Sequence, residues 1–317
     1  MKILLTGAAG FIGAYTAREL LARGIDVVGF DNFNDYYDPK MKRDRVAALC
    51  PSLPMIEASL EDYDALSSAF EGVTHVINLA AQAGVRYSLS NPSAYVQSNL
   101  VGFGHVLELC RHHAIEHLVY ASSSSVYGNS ATPPFSESQR VDEPRSLYAA
   151  SKAANELMAY TYSHLYSLPC TGLRFFTVYG PWGRPDMAPI LFSRAALSGS
   201  PIAVFNHGKM QRDFTYIDDI VAGILGALSV PLTGPNPHRV FNLGNHTPVE
   251  LEYFISVLEG AAGVPVERDY QPMQPGDMLA TMADVSHAAE AFGFEPHTPI
   301  EKGLPLVVEW CRDYYHS

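Results

Sequence analysis

The chain has 317 residues, 47% of them apolar and 17% charged, a globular composition long enough for one large domain with a smaller partner. Its 21 basic and 33 acidic residues give a formal charge of -12, which repels phosphate backbones and anionic lipid and argues against nucleic-acid or membrane partners. The four cysteines, Cys50, Cys110, Cys170 and Cys311, form no CxxC pair. That disfavours a metal site and suits the reduced, buried thiols of a cytoplasmic protein. Met1-Lys2-Ile3-Leu4-Leu5 runs straight into a glycine motif with no room for a signal peptide. No stretch reaches the ~18 apolar residues of a membrane span.

In chain order, the apolar run at 3–5 precedes a helix with Ile12, Thr16, Ala17, Leu20 and Leu21 at helical spacing, stopped by Gly24. Residues 26–30 (DVVGF) form the next strand. Further strands are expected at 55–58, 75–79, 117–121 and 171–176, apolar enough to be buried on both faces of a parallel sheet. Helices are expected at 62–70, 93–112 and 147–166, and the Arg111-His112-His113 cluster suits a helix C-terminus better than a metal site. This order implies an α/β fold with a doubly wound parallel sheet. Beyond residue 177, Pro181, Pro185, Pro189 and Pro201 break the pattern, while 214–228 and 240–243 look like returns to the sheet. The expected division is a sheet domain of 1–176 and about 213–245, with a smaller, discontinuous C-terminal lobe of about 177–212 and 246–317.

Gly7-Ala8-Ala9-Gly10-Phe11-Ile12-Gly13 lies between the first strand and the first helix. Glycines there permit a tight turn and close approach of the backbone to a pyrophosphate, and the helix N-terminus supplies free N–H groups. Asp31 ends the second strand, where a carboxylate accepts hydrogen bonds from a ribose 2′-hydroxyl and repels a 2′-phosphate, favouring NAD over NADP; the same residue can also cap a helix. Tyr148 and Lys152 stand four apart in an expected helix and so share a face, where a cation lowers a phenol's pKa. The hydroxyl run Ser122-Ser123-Ser124-Ser125 follows the 117–121 strand, at the end where such sheets bind ligands.

In this order and spacing, GAAGFIG, Asp31, SSSSVYG and YAASK resemble the extended short-chain dehydrogenase/reductase family of nucleotide-sugar epimerases and dehydratases, over nearly the whole chain. DNFNDYYDPKMKRDR, NLAAQAGVRYS and RFFTVYGPWGRPDMA are similar, more narrowly, to UDP-glucuronate 4-epimerases. The resemblance implies a Rossmann fold holding NAD through Gly7, Gly10, Phe11, Ile12, Gly13, Asp31, Asn32, Leu79, Ala80 and Ala81. Ser59 and Leu60 stand where the family has an adenine-binding Asp and a hydrophobic residue, so the adenine contact is expected to be weaker. Tyr148 would be the base at the sugar C4 hydroxyl, Lys152 would tune it and hold the nicotinamide ribose, and Ser123 would bond the C4 oxygen. Ser124 and Ser125 replace the acidic residues of family dehydratases, and Ser125 replaces the Glu of the decarboxylases.

On the substrate side, the resemblance assigns Thr177 and Arg184 to the glucuronate carboxylate, which a guanidinium can grip with two hydrogen bonds. Arg86 is a second candidate near the sugar or pyrophosphate. Val204 and Phe205 match a uracil-holding strand, Arg212 a diphosphate contact, and Gln274 and Asp277 a segment closing on UDP; Gln274 replaces an arginine of UDP-glucose epimerases. The leading expectation is a UDP-glucuronate 4-epimerase with a UDP-sugar as substrate, paired as a homodimer through the 93–112 and 147–166 helices. UDP-glucuronate decarboxylase, a UDP-glucose-type 4-epimerase and a catalytically inactive NAD-bound regulatory protein stand as alternatives.

Overall fold

A computed structural model describes residues 1–129, 131–230, 232–274 and 278–316. Asp277 lies outside the described residues. The strands are β1 (Lys2–Thr6), β2 (Asp26–Asp31), β3 (Met55–Glu57), β4 (His75–Asn78), β5 (His117–Ser123), β6 (Cys170–Phe175), β7 (Thr177–Tyr179), β8 (Ile202–Phe205), β9 (Gln211–Tyr216), β10 (His238–Leu243), β11 (Pro248–Glu250) and β12 (Arg268–Gln271). Seven of them form one parallel sheet in the order β10-β6-β5-β4-β1-β2-β3.

Alternation along the strands explains the two packed faces. Ile3, Leu5, Val27, Ile77 and Val119 join one buried cluster with the Phe11–Ala22 and Ile217–Ser229 helices. Leu4, Phe30, Val76, Leu118 and Tyr120 point the other way, to the Phe103–His112 and Leu147–Tyr166 helices. A sheet covered on both faces needs apolar residues at every position, which the sequence supplies. The strand order reverses between β1 and β4, and a crevice opens at the carboxyl ends of these strands, as in doubly wound folds.

Two elements differ from the sequence expectation. The 93–112 segment is not one α-helix: Pro92–Tyr95 leads into a π-helical turn over Val96–Gly102, and a regular helix resumes at Phe103–His112. The expected strand at 171–176 is β6, within the large sheet, whereas 214–228 does not return to that sheet as a strand. After β6 the chain passes Phe176 and enters β7, which pairs with β9 in a separate three-stranded sheet, β11-β9-β7. The 214–228 segment therefore reaches the large sheet only through its helix, which packs against Phe11–Ala22, while β10 adds a seventh strand beside β6. A two-stranded sheet of β12 and β8 completes the C-terminal part.

Candidate active site

The glycine loop between β1 and the first helix forms one wall of the crevice. Gly7 has φ +70°, and a Cβ there would lie 2.6 Å from the Ala80 nitrogen; one on Gly13 would lie 2.0 Å from the Gly7 carbonyl oxygen. Only bare backbone fits this approach. Gly10 offers no side chain to cap the helix, so first-turn N–H groups are available to an anion. Asp31 closes the loop from the side: its Oδ2 accepts the Ala9 N–H at 3.1 Å and its Oδ1 the Phe33 N–H at 2.8 Å. Burial raises its carboxyl pKa, against the opposing pull of these N–H groups and of Lys42. The donor-rich turn, the missing Cβ atoms and the carboxylate at the end of β2 fit the pyrophosphate and ribose of a dinucleotide.

Phe11, Ile12, Asn32, Leu60, Leu79, Ala80 and Ala81 line the same crevice. Ser59 is not among these lining residues and accepts a hydrogen bond from the Asn32 amide at 2.9 Å.

The opposite wall comes from β5 and the Leu147–Tyr166 helix. Ser146 caps this helix by accepting the Ala149 N–H at 3.1 Å, and so fixes where Tyr148 and Lys152 project. Ser123 caps the following turn, its Oγ accepting the Ser125 N–H at 3.2 Å, and Ser123, Ser124 and Ser125 all line the crevice. Burial raises the Tyr148 phenol, while a hydrogen bond from Ser123 and the charge of Arg184 pull it down. Lys152 is buried and lowered to about 8 by that burial, with Glu156 one turn further opposing the shift. Its ammonium donates to the Ala121 carbonyl at 2.9 Å rather than to Tyr148.

The substrate-side residues divide into two groups. Thr177, Arg184 and Arg212 line the crevice with Tyr148. Arg184 Nε donates to Asp186 Oδ1 at 3.0 Å and Nη2 to Oδ2 at 2.5 Å. Arg86 lies over the Phe205 ring at 5.0 Å, bringing the 82–86 loop against β8. Val204 is fully buried, and neither it nor Gln274 is part of the crevice lining.

Sequence reasoning missed several polar residues here. Asn99, in the π-helical turn, accepts the Gln82 N–H at 2.7 Å, donates to the Gln82 carbonyl at 3.0 Å and donates to Ser151 at 3.0 Å. It thereby ties the exit of β4 to the helix bearing Tyr148; π-helical turns concentrate at such sites. Glu156 accepts two hydrogen bonds from Arg174, at 2.9 and 2.7 Å, and one from Ser122 at 2.5 Å. Its spacing of four from Lys152 was a usable signal, as was that of Asp186, two residues after Arg184.

A family model for the NAD dependent epimerase/dehydratase family matches residues 3–244, and the chain belongs to that family. It is similar to UDP-glucuronate 4-epimerase 2 of Arabidopsis thaliana, 48% identical over 332 aligned positions that cover 99% of this chain and 76% of the relative. Protein CapI of Staphylococcus aureus is 48% identical, with 99% of each chain covered. Among solved structures, the UDP-glucuronic acid 4-epimerase of Bacillus cereus, in complex with UDP-glucuronic acid and NAD, superposes with a TM-score of 0.93 at 33% identity, covering 99% of this chain and 100% of that one.

Proposed function

We infer that this chain is an NAD-dependent UDP-glucuronate 4-epimerase that interconverts UDP-glucuronate and UDP-galacturonate. The observation that carries this reading is full-length similarity to such enzymes combined with one crevice that holds Ser123, Tyr148 and Lys152 beside Thr177 and Arg184. NAD, when bound, supplies the hydride acceptor and donor at the sugar C4. Gly7, Gly10, Gly13 and Asp31 hold its pyrophosphate and ribose. Tyr148 takes the C4 hydroxyl proton and, once the 4-keto sugar has rotated so that its other face can take back the hydride, returns that proton to the C4 oxygen. Ser123 bonds the C4 oxygen and the phenol. Lys152 holds the nicotinamide ribose, and its charge favours the phenolate.

Thr177 and Arg184 bind the glucuronate carboxylate. The 4-keto sugar is a β-keto acid, which loses CO2 most readily when its carboxylate stands perpendicular to the ketone plane. Held in another rotamer by a guanidinium, it keeps its carboxylate. Arg86, Phe205 and Arg212 serve the uridine diphosphate end. The dinucleotide part comprises 1–176 and about 213–245 and the substrate lobe about 177–212 and 246–317; the return of β10 to the large sheet supports that discontinuity.

The chain pairs with a second copy through the 93–112 and 147–166 segments, where Val101, Leu157 and Leu165 are 39%, 70% and 60% exposed. Light scattering showing a monomer at micromolar concentration would remove the dimer. Four free, buried cysteines suit a cytoplasmic setting; among the described residues no helix is long and apolar enough to cross a membrane. The test of the function is purified protein with UDP-glucuronate and no added NAD. UDP-galacturonate as product supports it, and UDP-xylose or no turnover on any nucleotide sugar refutes it.

A further inference from the structure

Arg184 is already held by a carboxylate of its own chain. Asp186 takes the Nε–Nη2 edge of the guanidinium, and the Tyr36 hydroxyl donates to Asp186 Oδ2 at 2.9 Å. A guanidinium has five N–H groups in a rigid plane, so fixing one edge fixes the direction of the Nη1–Nη2 edge. The ends of this assembly are also tied down. Arg45, fully buried, donates from Nε to the Trp182 carbonyl at 3.0 Å and from Nη1 to the Ala9 carbonyl at 2.7 Å and the Tyr37 hydroxyl at 3.0 Å. Neighbouring tyrosines of the loop after β2 thus hold both ends of the 182–186 arm, Tyr37 through Arg45 and Tyr36 through Asp186.

Resting on the function given above, we propose that Asp186, braced by Tyr36, is the positioning residue that aims the Arg184 guanidinium and tempers its charge, so that the substrate carboxylate is bound in one rotamer and released after turnover. The two effects have opposite signs in binding. Asp186 improves the direction of the grip but repels the incoming carboxylate, because the bound state places two carboxylates on one guanidinium. Removing the Asp186 charge therefore tightens binding of an acidic sugar while loosening its orientation. In a loosely held 4-keto sugar the C5–C6 bond breaks, CO2 leaves, and the electron pair enters the enolate of the C4 ketone, which is then protonated at C5.

The test uses NAD-loaded protein carrying Asp186→Asn or Tyr36→Phe, with the unsubstituted protein as control. Affinities for UDP-glucuronate and UDP-glucose are measured by calorimetry in a Tyr148→Phe background, and the CO2 share of turnovers is measured with Tyr148 intact. For Asp186→Asn we expect UDP-glucuronate to bind about 20-fold tighter, the repulsion of two unit charges roughly 9 Å apart at an effective dielectric of about 20. UDP-glucose affinity should stay unchanged and the CO2 share should rise. Tyr36→Phe keeps the Asp186 charge, so it should raise the CO2 share without tightening UDP-glucuronate. Equal weakening on both sugars with an unchanged CO2 share would overturn the proposal and make Asp186 a loop brace only. Failure of the control to epimerise UDP-glucuronate would instead refute the underlying function.

Discussion

The Lys152 ammonium donates to the backbone carbonyl of Ala121 at 2.9 Å, which tethers the helix bearing Tyr148 to β5. The lysine is 3% exposed, and burial lowers its pKa from 10.5 to about 8. Below pH 8 it is charged in both folded and unfolded chains, so the full penalty on the folded state is present. As pH rises from about 8 to 10.5 the unfolded chain binds more protons than the folded one, and stability rises. Lys152→Met should therefore remove a penalty of about 3 kcal/mol at pH 7, at 1.36 kcal/mol per pKa unit, while leaving the Ala121 carbonyl unpaired at a cost of roughly 1–3 kcal/mol, so the cofactor-free variant should be at most modestly more stable than the parent. The gap between variant and parent should shift in the parent's favour at pH 9.5. Urea denaturation at the two pH values checks this; a gap independent of pH would refute it.

Tyr148→Phe should preserve the fold and NAD retention while turnover falls about 10²–10⁴-fold, the usual worth of a positioned proton acceptor. Rate measurements with a cofactor assay decide it. A loss of tenfold or less would assign the base to another group.

Asp31→Ala removes acceptors from the Ala9 and Phe33 N–H groups at once. The expected result is roughly 1–3 kcal/mol less stability from those unpaired donors. Weaker retention of NAD and poorer discrimination against NADP should accompany it. Denaturation midpoints and cofactor content after purification read the two effects separately.

Arg184→Ala should lower kcat/KM for UDP-glucuronate roughly 10- to 150-fold, the loss of a charge-assisted hydrogen bond. Binding of UDP-glucose, which has no carboxylate, should hardly change, and more turnovers should end in CO2 and a 4-keto pentose. Lysine at this position should recover part of the affinity but not the planar grip. Equal losses on the two sugars would move Arg184 to the diphosphate or to loop structure.

The sheet was legible because strands buried on both faces leave unbroken apolar runs, as at Ile3-Leu4-Leu5 and in HLVYA. The change of sheet at Phe176 was not, because the residues on either side are equally apolar and periodicity carries no mark of which sheet a strand joins. The π-helical turn was hidden for a related reason: Val96, Leu100 and Phe103 keep helical spacing whether or not one hydrogen bond slips. Tyr148 and Lys152 were found through their spacing of four. The Ala121 carbonyl that receives Lys152 could not be, since every residue carries a carbonyl. Asp186 could have been read from its place two residues after Arg184, but Tyr36 could not, because side chains 150 positions apart meet only once the chain is folded.

β10 pairs in parallel register with β6 from Cys170 opposite His238 to Phe175 opposite Leu243. Its position in the chain has a bearing on synthesis. The ribosome must make β7, β8, β9 and the Ile217–Ser229 helix before the seventh strand emerges. Until then β6 stands as a bare sheet edge, a template for pairing with the wrong chain. The nascent protein is thus most vulnerable to aggregation late in translation, and a transcript truncated before residue 238 would yield a product with that edge permanently open.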